Sequence, residues 1–324
     1  MPDRTVVIII DALGADIAER HAFSPRGFQH RARLKSVLGF SQAALASIMT
    51  GSTPAQHGLW MMYRFQARSP FFFVRAVAPF AGERRRFVRA LIRWKIAAID
   101  RVTAYYSLYS VPARVLARTG LAARRSVFEP GGGGSERTII DAAAARGLRV
   151  FVCDYRTAET EALRLLEQAL RRGTHDFHLL YTAGLDELLH RRGTDDAEVG
   201  RRLAEYAAWI ERLAVHNRDA RFIVFGDHGM CNVERTIDMM AEVERSGLRP
   251  IRDFIPFYDS TLARFRTGSE SVRHRLVDLL GTISGGRVLH DDELDALGVF
   301  FESREFGDVV YLCEPGGIIL PSYM

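Results

Sequence analysis

Four separated segments of this sequence place a hard-cation ligand or a hydroxyl within or just after an apolar run. Asp11 closes the run in IIIDALG, and Ser41 stands in GFSQAALASIMTGSTPAQHG. Asp186 and His190 lie four residues apart in LLYTAGLDELLHRRG, and Asp227 and His228 are adjacent in IVFGDHGM. An Asp and a His at i and i+4 on a helix share one face and can grip one ion. Gly226 and Gly229 flank the Asp227–His228 pair and allow the backbone angles of a tight turn, which could aim both side chains at one or two metals. Carboxylate oxygens and imidazole nitrogens without thiolates suit Zn²⁺, and also serve Mn²⁺ or Mg²⁺. A serine hydroxyl is a poor nucleophile at neutral pH, and coordination to a dication lowers its pKa toward the alkoxide. Each residue alone has a plainer use: Asp11 as a helix cap, Ser41 as a loop or N-cap serine, Asp186 and His190 as a solvated helix face. Their combination is what points to chemistry.

These residues need elements to hold them. Thr5–Ile10 (TVVIII) is a continuous β-branched run, as expected of a strand buried on both faces of a parallel sheet. Arg149–Cys153, Phe177–Thr182 and Phe222–Phe225 repeat the pattern, and Thr138–Arg146, Thr157–Arg172 and Ala197–Val215 between them read as helices. The alternation predicts an α/β fold with a mostly parallel central sheet flanked by helices. In such sheets ligands gather beyond the carboxyl ends of the strands, where Asp11 and Asp227 fall.

Residues 64–130 break the rhythm and read as an inserted basic, aromatic cap, helical in parts between Arg84 and Tyr106. Phe87, Leu91, Trp94, Ala98 and Val102 form an apolar stripe at helical spacing, with Arg85, Arg86, Arg89 and Arg93 elsewhere on that helix. The plain expectation is that the stripe packs on the core; the sharper one is contact with an anionic membrane surface or a lipid-linked phosphate substrate. Residues 131–135 (GGGGS) are a flexible linker by composition, and the chain, 1–324, reads as a single domain carrying this insertion.

The 324 residues carry a formal net charge of +5, but Phe71–Arg125 alone has 12 Lys plus Arg against 2 acids. One positive surface on a mildly acidic body is implied, not a protein that binds nucleic acid throughout. Cys153, Cys231 and Cys313 are far apart with no CxxC pair, which argues against a disulfide framework and a thiolate metal site. The first apolar run stops at Asp11, too short for a secretory signal, and nowhere do 18 apolar residues run together. A cytoplasmic enzyme is expected.

Taken in order, the four segments resemble the alkaline phosphatase superfamily, in its type I phosphodiesterase/nucleotide pyrophosphatase branch. The resemblance rests on Asp11 after the first strand, Ser41 nine residues before Thr50-Gly51, and Pro54-Ala55-Gln56-His57-Gly58. It continues with Asp186, His190 and Gly193 matching DxxxHxxG, Asp227–Met230 matching DHGM, and Tyr258–Phe265 (YDSTLARF). The resemblance implies a phosphodiesterase or pyrophosphatase acting on a small phosphate ester or diester with two divalent cations, Zn²⁺ foremost. It implies that Asp186 and His190 hold one metal and Asp11, Asp227 and His228 the other. Ser41 would bind between them and form a phosphoseryl intermediate. A phosphomonoesterase of the same superfamily is the nearest alternative.

Two departures accompany the resemblance. The family's first metal takes a further His from a GHG-like segment, and this sequence reads Pro321-Ser322-Tyr323-Met324 where that segment is expected. Either the chain is truncated or another residue substitutes; His274 and His290 are the later histidines, and neither has the motif around it. A catalytically impaired binding module is the corresponding alternative. The amide that often follows HG is also missing from Leu59–Arg64, leaving Tyr63 or Arg64 to contact the phosphoryl oxygen. His57 is expected to be structural, and His175, His178 and His216 ordinary.

Overall fold

A computed structural model describes residues 4–74 and 85–324, with the side chains of all of these except 85–88. Along the chain the strands begin with β1 (Arg4–Ile10), β2 (Tyr63–Phe65), β3 (Thr119–Leu121), β4 (Val150–Cys153), β5 (Phe177–Thr182) and β6 (Ala220–Phe225). They continue with β7 (Arg235–Ile237), β8 (Phe254–Tyr258), β9 (Leu262–Thr267), β10 (Gly286–Leu289), β11 (Val309–Cys313) and β12 (Gly317–Ile319). The chain forms two compact units, Met1–Ser52 with Val127–Asn232, and Thr53–Ser126 with Val233–Met324.

The first unit is built on a four-stranded sheet in the order β4-β5-β1-β6, parallel throughout. Ile8 of the central strand pairs with Leu180 of β5 and with Val224 of β6. Strand side chains alternate between faces, and both faces of β1 are covered. Val6, Ile8 and Ile10 pack on one side against Leu166, Leu203 and Ile210, from the helices Glu159–Arg172 and Ala197–His216. Ile9 packs on the other against Leu45 and Met49 of the helix Ser41–Thr50 and Ile140 of the helix Ile139–Ala145. That is why the strand reads as one unbroken hydrophobic run. Ala197–His216 shows the complementary helical pattern, burying Val199, Leu203, Tyr206, Ile210 and Leu213, and Asp196 caps its start by accepting from the Glu198 N–H at 2.8 Å. The α/β architecture and the parallel central sheet are as the sequence predicts, to within two residues at most ends.

Residues 131–135 belong to this unit and are hydrogen-bonded: the Gly131 N–H donates to Asp141 Oδ1 at 2.8 Å and the Glu136 N–H to the Gly133 carbonyl at 3.2 Å. A Cβ on Gly133 would lie 2.4 Å from the Glu136 carbonyl oxygen.

The second unit contains an antiparallel sheet, β10-β11-β9-β8, with the parallel pair β12-β7 and the antiparallel pair β2-β3. Sequence patterning gave no sign of this sheet: β9 (LARFRT) carries two arginines, β10 (GRVL) opens on a glycine and an arginine, and β8 (FIPFY) holds a proline. One of those arginines, Arg264, is fully buried: its guanidinium donates to both Asp259 oxygens (2.7 and 3.3 Å) and to the Tyr63 carbonyl (3.0 Å). Its charge also lies 4.9 Å from the centre of the Phe257 ring. The YDSTLARF segment is thus a structural ion pair lodged among aromatics.

Residues 66–118 leave and return through β2 and β3, where Tyr63 pairs with Leu121. A helix at Arg85–Trp94 runs into a π-helical turn at Lys95–Ile99. The expected stripe is corrected here. Trp94 and Ala98 face solvent, and Ile92 and Ile96 are the buried pair. Trp94 stands before the π turn and, two residues from Ile92, on the opposite side of the α-helix, while Val102 of the stripe does pack against the core. Arg84 and the side chains of Arg85, Arg86 and Phe87 lie outside the described residues.

Removing one partner of a buried ion pair strands the other charge. Arg264→Ala should therefore lower unfolding free energy by roughly 3–5 kcal/mol, and Arg264→Leu combined with Asp259→Leu should recover much of it. Urea denaturation tests this; a loss below about 1 kcal/mol in the single variant would place the pair among surface-like bridges.

Candidate active site

The carboxyl ends of β1, β5 and β6 bring three loops together in the first unit. Asp11 continues the β1 ladder, its N–H donating to the Thr182 carbonyl at 2.9 Å. The chain then turns sharply, with Ala12 in the left-handed region at φ 60°. The Ala12 N–H donates to Asp227 Oδ1 at 3.2 Å, and the His228 N–H donates to the same oxygen at 3.0 Å. Ser36 Oγ donates to the Asp227 carbonyl at 2.6 Å and holds that turn from a third side.

The glycines serve close approach rather than unusual backbone angles: neither Gly226 nor Gly229 has positive φ. A Cβ on Gly226 would stand 2.2 Å from the Leu13 carbonyl oxygen, and one on Gly14 would stand 2.5 Å from the Gly229 Cα. Backbone meets backbone there, and the loops after β1 and β6 can touch only without side chains between them.

Within this frame, Asp11, Asp186 and His228 each offer a ligand atom, all within 4.8 Å of one another. Asp186 rides near the start of the helix Gly184–Arg192 that follows β5. The decisive atom is His228 Nε2. The ring's Nδ1 lies 3.0 Å from the Gly229 carbonyl, which can only accept, so Nδ1 carries the proton. In the neutral ring Nε2 then presents a lone pair. It faces Asp11 Oδ1 at 3.3 Å and Asp227 Oδ2 at 3.6 Å, and both oxygens are buried and accept no hydrogen bond. Three lone pairs converging in a buried space repel unless a proton or a cation lies among them. Nε2 also lies 2.8 Å from Ser41 Oγ. A Ser-His-Asp proton relay would require the carboxylate on the opposite ring nitrogen; here hydroxyl and carboxylates share one. The all-oxygen-and-imidazole donor set fits a divalent cation.

Electrostatics agree. Burial, reinforced by Asp227 and Asp186, pushes the Asp11 carboxyl up to about 7, even though Tyr181 donates its hydroxyl to Asp11 Oδ2. Burial also raises Asp186. For His228 burial opposes the charged ring, yet the fields of Asp227, Asp11 and Asp186, with the Gly229 carbonyl, outweigh it and lift its pKa. These shifts follow from burial and from like charges held close together, the electrostatic setting in which a cation would be favoured.

All six residues singled out from the sequence lie at this end of the sheet. Ser41 heads its helix beside His228, Asp11 and Asp227 flank the His228 ring, and Asp186 completes the close group. His190 is the loosest, its Nε2 at 3.5 Å from Asp186 Oδ1 and its side chain 69% exposed. Sequence reasoning missed the residues that aim these groups. Glu159 accepts from the Gly184 N–H at 3.2 Å, from Tyr206 Oη at 2.6 Å and from Thr182 Oγ1, and it pairs with Arg202 at 2.7 Å. It thereby fixes the junction between β5 and the helix bearing Asp186. Asn232 Oδ1 accepts from the Thr194 N–H at 2.9 Å, and it is the atom a Cβ on Gly193 would meet at 2.9 Å. A glutamate at a helix N-terminus and an asparagine in a loop carry no spacing signal.

Other sequence candidates have structural uses. His57 is fully buried, accepts from the Leu59 N–H at 3.1 Å, and is pushed down to about 4 by burial. The Tyr63 hydroxyl donates to the Ser107 carbonyl at 2.7 Å, Arg64 pairs with Glu305 at 3.1 Å, and His290 caps the helix Asp291–Ala296.

A family profile described as type I phosphodiesterase / nucleotide pyrophosphatase matches residues 5–275. Among solved structures, the chain is similar to murine ectonucleotide pyrophosphatase/phosphodiesterase 5, with a TM-score of 0.66 at 12% identity, covering 98% of this chain and 81% of that one. It is similar also to phosphonoacetate hydrolase from Sinorhizobium meliloti 1021, with a TM-score of 0.66 at 14% identity, covering 98% and 82%. No curated protein matches. The chain belongs to the type I phosphodiesterase/nucleotide pyrophosphatase family of the alkaline phosphatase superfamily, and it is a hydrolase acting on phosphoester bonds.

The Asp11 shift has a measurable consequence in the metal-free protein. Between about pH 4, where the unfolded carboxyl ionises, and about 7, where the folded one does, the folded state holds more protons. Its stability therefore falls as pH rises through that window. Asp11→Asn should flatten the fall, as read from urea midpoints across pH after chelation; equal slopes in both proteins would contradict the assigned environment of Asp11.

Proposed function

We propose that this hydrolase cleaves small phosphate esters or diesters, with Ser41 as the nucleophile, at a site that holds two divalent cations, Zn²⁺ foremost. The observation carrying this reading is the 2.8 Å contact between Ser41 Oγ and His228 Nε2, on the same edge of the ring that faces Asp11 and Asp227. A hydroxyl so placed would lie beside any cation held by the imidazole and both carboxylates. Asp11, Asp227 and His228 would hold one ion. Asp186 and His190 would hold the second, less enclosed, since His190 is largely exposed.

A dication bound there supplies Lewis-acid stabilisation and a lowered pKa for the serine hydroxyl. The chain's own part is positional. Ser41 opens a ten-residue helix whose N-cap, Phe40, makes no side-chain capping bond, so the positive end of the helix is left to an anionic group beside the hydroxyl. Ser41 Oγ forms the bond to phosphorus as the leaving oxygen departs, and hydrolysis of the phosphoseryl group returns the serine. Asp11, held by Tyr181 and its ladder bond to Thr182, and Asp227, held by two N–H donors, keep their free oxygens aimed inward. Small phosphate or phosphonate ligands are consistent with the relatives: the murine enzyme is known in complex with AMP and the Sinorhizobium enzyme with phosphonoacetate.

Hydrolysis of bis-p-nitrophenyl phosphate and of p-nitrophenyl phosphate, with Zn²⁺ or Mn²⁺ added, tests the reading. Ser41→Ala should lower the rate on the order of a thousandfold or more while leaving metal content unchanged. A faster diester than monoester reaction assigns a phosphodiesterase, and the reverse a phosphomonoesterase. Full activity in Ser41→Ala would remove Ser41 from the role of nucleophile.

A further inference from the structure

The helix Arg85–Trp94 and the π turn Lys95–Ile99 are divided between two apolar sides. Ile92 and Ile96 are buried in the core of the second unit. On the outer side Ala90, Trp94, Ala97, Ala98 and Ile99 are exposed, with Trp94 and Ile99 each at 58%. Arg93 and Arg101 are exposed alongside them. The same stretch also exposes Phe72 and Tyr105, at 68% and 52%. Asp100, the one acid of the described part of Phe71–Arg125, is engaged by Lys95 at 2.7 Å. A solvent face that combines tryptophan, isoleucine and arginine, with no available carboxylate among the described residues of that stretch, is rare on a protein that meets only water.

We propose that this face docks on an anionic lipid bilayer, lying in the interface with Trp94 and Ile99 inserted and Arg93 and Arg101 at the headgroups. Charge and composition choose the occupant. The 12 basic residues against 2 acids in Phe71–Arg125 would repel a second copy of the same face. Nucleic acid would match the arginines but would gain nothing from exposed Ile99, whereas an acyl-chain boundary rewards it. Indole rings settle at the headgroup level, where one edge is wet and the body is apolar. No helix among the described residues is long and apolar enough to cross a membrane, so the contact is peripheral. This inference stands independently of the catalytic reading.

The full-length protein should be mixed with vesicles of phosphatidylcholine alone, and of phosphatidylcholine with phosphatidylglycerol, and followed by co-sedimentation and tryptophan emission. The chain has three tryptophans; Trp60 and Trp209 are 1% and 7% exposed, so a change in emission reports Trp94. Binding to the anionic vesicles should be at least about tenfold tighter than to neutral ones, blue-shift the emission, and weaken as salt is raised. Trp94→Ala with Ile99→Ser should abolish binding, and Arg93→Glu with Arg101→Glu should remove the preference for anionic lipid, both with unchanged circular dichroism. The wild-type salt titration carries the test if a variant fails to fold. Equal binding to both vesicles, binding to neither, preference for a DNA duplex, or a Trp94-dependent dimer on light scattering would each overturn the proposal.

Discussion

One nitrogen sets the terms for this site. With its other ring nitrogen committed to the Gly229 carbonyl, His228 turns a lone pair toward two buried carboxylate oxygens that accept no hydrogen bond. Water is scarce there, since Asp11 and Asp227 are 4% and 3% exposed. Without a positive charge, from a proton or a cation, the arrangement is unfavourable. The raised pKa values of Asp11, Asp186 and His228 are the metal-free protein's answer to the same problem. Destabilised groups kept in register by many hydrogen bonds are what a pre-formed cation site requires.

Much of the first unit can be seen as support for that point. A parallel sheet delivers β1, β5 and β6 side by side, with their carboxyl ends together. The Gly14–Gly229 and Gly226–Leu13 approaches close the gap between two loops to backbone contact. Glu159 locks the entry to the helix that brings Asp186, and Tyr181 pins the second oxygen of Asp11. The Ser41 helix packs from the opposite face of the sheet through Leu45 and Met49, which places its first residue against the histidine. Each device acts on direction: which oxygen is occupied and which is left for a ligand.

The sequence made the ligands legible because strong local patterns preceded them. Runs such as TVVIII and FIVF read as strands, TVVIII covered on both faces and FIVF at the sheet edge with Ile223 exposed, and a polar residue following such a run lies at the ligand end of the sheet. Asp186 and His190 were readable through helical spacing, although in space His190 stands apart from the close group. The supporting residues were not readable, since Glu159, Tyr181 and Asn232 act through partners distant in the sequence (Gly184, Asp11 and Thr194) and match no local rule. The antiparallel sheet of the second unit was hidden for a related reason: Arg264 sits fully buried in β9, and only its pairing with Asp259 makes a charge acceptable there. The apolar stripe was misplaced because this helix carries apolar residues on two sides, Ile92 and Ile96 inward and Trp94 and Ala98 outward, and spacing alone does not tell which side meets the core.

The most direct test of the account is calorimetric titration of Zn²⁺ or Mn²⁺ into chelator-stripped protein near neutral pH, in buffers of different ionisation enthalpy. The account predicts two binding events accompanied by proton release, because Asp11 and His228 must give up protons to take a cation. The tighter event should vanish in Asp227→Asn and the weaker one in His190→Ala. Binding that persists undiminished in Asp227→Asn, or takes place without proton release, would contradict the claim that the cation sits on the His228 edge.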